Sequence, residues 1–346
     1  MTEIASKPWI TANQVTLIRL IPIPFLAWCF YQSTLFHWIG LALGIVIGCT
    51  DWVDGLLARK YGPTQLGALL DPMVDKIFIA MVYLPMADVG KIRLLPVILM
   101  FIREFLITGL RTAFKARDIQ FKTSYLAKVK TWVQMQNIAI ILLMILLDKK
   151  VMIIGCIAGA LIAALVAICY QVIRKRIYKG AWIMAASFAF LAAIIHFFSI
   201  EVCITITVWS VVAVTWISGF DYLVKGIPKI LKSGRLQFFE HARIVGAFAI
   251  PIVCGLSLYH SNVFPWPVFA IVSLELSLGG LDNLYAHHND AASAKTWLIR
   301  IVGICFFLIL SMTLPERYVP IWSTAAFLFS LLGFSLEAAR GKRHYL

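Results

Sequence analysis

Charge is scarce in this chain, and negative charge is scarcer still. Asp and Glu number 17 against 31 Lys and Arg in 346 residues, charged residues make up 14%, and 61% of the chain is hydrophobic. A water-soluble domain of this length needs far more charge to cover its surface, so the composition, with a mean hydropathy of +0.87, points to the bilayer. Cysteine is sparse and unpatterned. Cys29, Cys49, Cys156, Cys169, Cys203, Cys254 and Cys305 stand singly in apolar stretches, which excludes a disulfide framework or a thiolate metal site and leaves them as reduced core residues. The start, MTEIASKPWI, lacks the basic segment and small-residue cleavage site of a signal peptide. A formal net charge of +14 could serve a nucleic-acid partner. In so apolar a chain it fits cytoplasmic loops lying against anionic lipid head groups better, and no nucleic acid is expected.

Apolar runs near the 20 residues needed to cross hydrocarbon recur along the sequence. They predict an all-α polytopic bundle of about twelve spans, near 14–33, 36–55, 72–88, 94–113, 129–147, 151–173, 181–199, 202–223, 244–260, 264–283, 297–313 and 319–338. With a cytoplasmic N-terminus, the inside segments carry most of the cations, among them Arg59, Lys60, Lys115, Arg117, Arg174-Lys175-Arg176 and the Arg340/Lys342/Arg343 tail. The outside turns then hold only Lys91, Arg93, Lys149, Lys150 and Arg317. That asymmetry predicts both termini in the cytoplasm, and a multi-pass protein of the inner membrane is expected.

Against this scarcity, four acids fall at the cytoplasmic end of one hairpin, in Asp51-Trp-Val-Asp54-Gly55-Leu-Leu-Ala58-Arg59 and Gly67-Ala-Leu-Leu-Asp71-Pro-Met-Val-Asp75. Carboxylates at the edge of hydrocarbon are costly and mark a site. Asp51, Asp54, Gly55 and Ala58 share one helical face, and Asp71 and Asp75, one turn apart, share another. Asp71-Pro72 reads as an N-cap followed by proline at the first helical position. Four such carboxylates repel one another unless divalent cations lie between them, and two cations would clamp a phosphoryl centre. Gly55, Ala58 and Gly67 leave room where a flat base and a diphosphate approach backbone closely. The competing reading is a solvated helix end in which the acids pair with Arg59, Lys60 and Lys76.

The run D-x2-D-G-x2-A-R-x7-G-x3-D-x3-D resembles the defining motif of the CDP-alcohol phosphotransferases, with one residue fewer before Gly67 than is often written. The resemblance implies transfer of a CDP-linked phosphatidyl group to an alcohol, with CMP leaving. It implies two divalent cations, Mg2+ or Mn2+, held by Asp51, Asp54, Asp71 and a bridging Asp75. Asp75 would also be the general base. Asp54, Gly55, Ala58, Arg59, Gly67 and Asp71 would line the cytidine-diphosphate site. A homodimer is implied as well.

The stretches Arg103-Glu104-x6-Leu-Arg111 and Lys128-x-Lys130-Thr131 resemble bacterial phosphatidylglycerophosphate synthases, as do Asn13-Gln-Val-Thr16-Leu-Ile-Arg19 and Ser218-Gly-Phe-Asp-Tyr-Leu-Val-Lys225-Gly. Ala127 stands where those enzymes usually carry glycine. Arg103, Arg111, Lys128 and Lys130 make a basic cluster suited to an acceptor with its own phosphate. The resemblance therefore implies CDP-diacylglycerol and sn-glycerol 3-phosphate as substrates. Inositol phosphate, serine or phosphatidylglycerol as acceptor, and a divalent-cation transporter, are the alternatives.

These features assign residues 1–235 to the phosphotransferase domain, with an extra helical pair at about 150–200. Residues 236–346 form a four-helix membrane region. At an offset of 228 residues, Tyr31, Ser33, Phe36, Trp38, Asp54 and Ala58 meet Tyr259, Ser261, Phe264, Trp266, Asp282 and Ala286, either as a decayed partial repeat or by chance. Asp51 meets Gly279 and nothing replaces Asp71 and Asp75, so no catalysis is expected there. Asp282, His287, His288 and Asp290 read as a polar loop, their spacing fitting no ligand pattern.

Overall fold

The computed structural model describes residues 11–62, 65–115, 117, 125–232, 238–260, 263–287 and 294–345. Among them every regular element is a helix. In chain order they are α1 (Ala12–Ile18), α2 (Ile23–Cys29), α3 (Thr34–Tyr61), α4 (Gln65–Asp88), α5 (Leu94–Lys115), α6 (Tyr125–Leu146), α7 (Lys149–Arg174), α8 (Lys179–Phe197), α9 (Ile200–Asp221), α10 (Ile227–Lys232), α11 (Phe238–Tyr259), α12 (Pro265–His287), α13 (Ala294–Thr313) and α14 (Val319–Tyr345). A π-helical turn, Tyr222–Gly226, joins α9 to α10.

Among the described residues, five helical stretches are long and apolar enough to cross a bilayer: Lys149–Arg174, Gly180–Phe197, Ile200–Ile230, Glu240–Tyr259 and Glu316–Arg340. The chain is thus a membrane protein by length and composition. α5 is as long as these but carries Arg103, Glu104, Arg111 and Lys115, which lower its hydropathy. The single first span expected at 14–33 is instead two seven-residue helices, α1 and α2. Pro22 and Pro24 supply no N–H there, and the chain turns through the tighter bonds Leu20 N–H to Leu17 O (3.1 Å) and Ile21 N–H to Ile18 O (3.2 Å). The expected helix start at Asp71-Pro72 is also corrected. α4 begins at Gln65, so Pro72 lies inside it and the carbonyl of Ala68 loses its i+4 donor.

The chain divides into two compact units. Gln136–Ser210 is one, in which α7 and α8 lie against each other. There the ring of Phe188 reaches within 3.3 Å of where a Cβ on Gly159 would stand, and Lys149 Nζ donates to the carbonyls of His196 (3.1 Å) and Phe198 (2.9 Å). The other unit is Met1–Met135 with Val211–Leu346. In it α1 and α2 pack on both α3 and α4, and Gly62, at φ +95°, makes the left-handed turn that ends α3. α12 packs on α4, α5 and α14, and α11 packs on α5 and α13. Small residues let these helices approach, as membrane packing requires. A Cβ on Gly279 of α12 would stand 2.7 Å from Thr108 Cγ2 of α5. Arg117, just past α5, forms an ion pair with Glu240 of α11.

Candidate functional site

α4, α5 and α6 enclose a cavity of about 300 Å3. Asp75 and Lys76 face it from α4, Arg103, Glu104 and Arg111 from α5, and Lys130 from α6. Four cations and two acids therefore surround one space, an excess of positive charge that suits an anion. Burying so much charge within an apolar helix bundle demands partners, and one acid organises them. Glu104, 6% exposed, accepts from Lys130 Nζ at 2.6 Å and from Arg103 Nη1 at 3.3 Å.

The remaining bonds fix the cations in place. Arg103 Nη2 donates to Ser218 Oγ (2.8 Å) on α9, and Gly219 beside it leaves the space that the guanidinium fills, since a Cβ there would stand 2.9 Å from Arg103 Nε. Lys76 Nζ donates to Thr108 Oγ1 at 3.0 Å, and Thr108 in turn donates to the Glu104 carbonyl at 2.7 Å. Arg111 differs. Its guanidinium carbon sits 4.9 Å from the centre of the Tyr222 ring, it has no ion pair among the described residues, and its Nε is buried without a hydrogen bond. The Nε of Arg103 and Oε1 of Gln134 are likewise buried with no hydrogen-bond partner. Buried polar atoms left over in this way point to something else meant to meet them.

The expected site residues divide as follows. Asp75, Arg103, Arg111 and Lys130 line one cavity. The side chains of Asp51, Asp54, Ala58, Arg59 and Lys128 lie outside the described residues, although their backbone belongs to α3 and α6. Gly55 faces open space, with nothing within 4 Å of where a Cβ would stand, and Gly67 is half-buried in α4. Asp71 accepts from Thr16 Oγ1 of α1 at 2.9 Å. Among the described residues no three His, Cys, Asp or Glu side chains converge. The donors that can be placed fit a hard cation. Asp71 and Asp75 offer carboxylate oxygens one turn apart on α4, and a hydroxyl orients the first of them.

Sequence reasoning gave Lys76, Thr16 and Gln134 no role in the site. Lys76 follows Asp75 directly and reads as an ordinary basic residue at a span end; its neighbour Thr108 is visible only in three dimensions. Thr16 lies in the Asn13–Arg19 segment that carries part of the resemblance, which was the available signal.

Residues 9–161 match the profile of the CDP-alcohol phosphatidyltransferase family. A CDP-diacylglycerol–glycerol-3-phosphate 3-phosphatidyltransferase of Rickettsia felis is 35% identical over 133 residues, 38% of this chain and 74% of its own length. The protein of that name from Blochmanniella floridana is 33% identical over 168 residues, 46% of this chain and 86% of its own. That of Sodalis glossinidius is 36% identical over 129 residues, 35% of this chain and 70% of its own. No solved structure matches the chain.

Proposed function

This chain belongs to the CDP-alcohol phosphatidyltransferase family, and on that premise we propose that it transfers the phosphatidyl group of CDP-diacylglycerol to sn-glycerol 3-phosphate and releases CMP. The observation that carries the choice of acceptor is the convergence of Lys76, Arg103, Arg111 and Lys130 on the cavity that Asp75 also lines. A neutral alcohol would leave that positive excess uncompensated, whereas a phosphomonoester fills it and meets the unbonded guanidinium nitrogens.

Asp51, Asp54, Asp71 and Asp75 are the residues that would hold two divalent cations, Mg2+ or Mn2+. Such cations, when bound, neutralise the diphosphate and stabilise the leaving CMP. Thr16 holds Asp71 in orientation. Gly55, Ala58, Arg59 and Gly67, with Asp54 and Asp71, line the cytidine-diphosphate site. Asp75 takes the proton from the acceptor hydroxyl as that oxygen bonds to phosphorus and the bond to CMP breaks. An alcohol is too weak an acid to ionise first, so this transfer accompanies bond formation. Glu104 lines the same cavity and holds Lys130 and Arg103 where they bind the acceptor phosphate.

The topology proposed with this reading has about twelve spans, α1 and α2 together making the first. Both termini and the site face the cytoplasm of the inner membrane. Residues 1–235 form the catalytic domain, with α7 and α8 inserted before its last span, and residues 236–346 form a membrane region without catalytic acids. The homodimer implied by resemblance is a matter for the mass of the solubilised particle.

The test offers labelled CDP-diacylglycerol, with Mg2+ or Mn2+, to the purified full chain together with each acceptor in turn. CMP release and a phosphorylated product with glycerol 3-phosphate are expected. Faster turnover with inositol phosphate, serine or phosphatidylglycerol would replace the acceptor, and cation flux without CMP release would replace the reaction.

A further inference from the structure

We propose that α11–α13 is a second, silenced copy of α4–α6, docked on the first across a local two-fold axis, so that one chain supplies a paired arrangement with a single working site.

The register comes from helix boundaries. α4 ends at Asp88 and α11 at Tyr259; α5 begins at Leu94 and α12 at Pro265; each pair lies 171 residues apart. At the same interval Pro96-Val97, Glu104 and Gly109-Leu110 recur as Pro267-Val268, Glu275 and Gly280-Leu281. Lys130-Thr131-Trp132 recurs as Lys295-Thr296-Trp297 at 165, six residues short of that interval. The interval of 228 residues pairs α12 with α3 instead.

The contacts are reciprocal. Ile107, Leu110 and Phe114 of α5 cluster with Ile244 and Ala247 of α11. Leu278, Leu281 and Tyr285 of α12 cluster with Met73 of α4. Moving 107, 110, 114 and 73 by 171 gives 278, 281, 285 and 244, so each contact reappears with the roles of the copies exchanged. Such mutual use of one patch is what a two-fold axis produces.

The cavities correspond in the same way. The large one is walled by α4, α5 and α6 and closed by Leu276 of α12. A second, of about 40 Å3, is walled by α11, α12 and α13 and closed from α5 by Phe105, Thr108, Gly109 and Thr112. Leu276 and Phe105 are themselves 171 apart, as are Glu104 and Glu275, which line the two spaces from equivalent places. What the copy has lost is the chemistry. Asp75 becomes Gly246, Lys76 becomes Ala247, Arg111 becomes Asp282 and Pro72 becomes Arg243. The introduced Arg243 and Asp282 then close on each other at 2.8 Å, and the retained Glu275 closes on Arg300 at 3.1 Å. The space left holds little more than a water. The second copy is not idle, because its Leu276 forms a wall of the working cavity. It also covers α4 and α5, on which α12 and α11 pack.

The repeat stands on geometry and not on the acceptor, and photo-crosslinking in the full-length chain tests it. A benzophenone amino acid replaces Phe114 in one variant and Tyr285 in another. Each probe-bearing chain is co-expressed with a differently tagged wild-type chain, and folding is read from thermal stability in detergent, independently of any reaction. The probe at Phe114 is expected to label the peptide containing Ile244, and that at Tyr285 the peptide containing Met73, both within the chain carrying the probe. Adducts joining the two tagged chains at those peptides would overturn the proposal. So would a Tyr285 probe that labels a segment other than α4, or a folded variant that gives no adduct.

Discussion

The two cavities of the larger unit differ in how their charges are spent. Around α4–α6, Lys76, Arg103, Arg111 and Lys130 outnumber Asp75 and Glu104, and Arg111 has no ion pair among the described residues. Around α11–α13 the acids and bases pair off, Arg243 with Asp282 and Glu275 with Arg300, and the volume falls from about 300 to about 40 Å3. A buried ion pair contributes to shape; a cation with no acid paired to it is poised for a ligand. The same scaffold therefore yields a site or a strut according to whether its charges close on one another.

The largest effect is expected at Asp75. Asp75→Asn should reduce CMP release by about 10²–10⁴-fold, the span associated with loss of a general base, while the protein stays folded. Gly246→Asp, which restores the acid at the equivalent place in the closed copy, should restore no activity to that variant. Wild-type rates from Asp75→Asn, or recovery through Gly246→Asp, would break the comparison.

Next comes the strut. Arg300→Leu leaves Glu275 buried without its cation and should cost about 3 kcal/mol, the lower end for breaking one side of a buried pair. Replacing both partners, Glu275→Leu with Arg300→Leu, should recover most of that loss, and thermal melting in detergent reads both. Neither change should alter the KM for glycerol 3-phosphate. A shifted KM would mean that the closed copy takes part in binding.

The acids of α4 were legible in sequence because carboxylates are few here and recur at helical intervals, so Asp71 and Asp75 stood out against the apolar background. Arg103, Arg111 and Lys130 were legible as a cluster but not in their separate roles. That Glu104 binds two of them while Arg111 keeps an unbonded Nε depends on which helix lies beside which. The break between α1 and α2 was missed because hydropathy averages over Pro22 and Pro24. Proline after Asp71 suggested a helix start, yet the helix tolerates it about two turns inside α4. The repeat at 171 was hardest to see. Lipid-facing and packing positions accept any residue of suitable size, so Ile107 against Leu278, or Phe114 against Tyr285, preserve a contact without preserving an identity.

A smaller effect separates the cations of the open cavity. Arg111→Ala should raise the KM for glycerol 3-phosphate by about 10- to 100-fold, the equivalent of one charged hydrogen-bonded contact at 1.5–3 kcal/mol, with little change in kcat. Steady-state kinetics with varied acceptor decide this. Unchanged kinetics would argue for a neutral alcohol in its place.

The smallest expected effect falls on Leu276, and it bears most directly on whether the second copy serves the first. Leu276 enters the working cavity from α12, beyond the residues that match the family, and carries no group that could bind phosphate. Its contribution is to exclude water beside Lys76 and Arg111 and so strengthen their hold on an anion. Leu276→Ala should admit water and weaken the acceptor by a few-fold in KM, whereas Leu276→Gln, nearer in volume, should weaken it similarly by bringing a dipole to the same wall. Leu276→Met, which keeps both size and apolarity, should restore the wild-type value. If all three variants bind glycerol 3-phosphate equally well, the wall is passive, and the silenced copy does no more than brace α4 and α5.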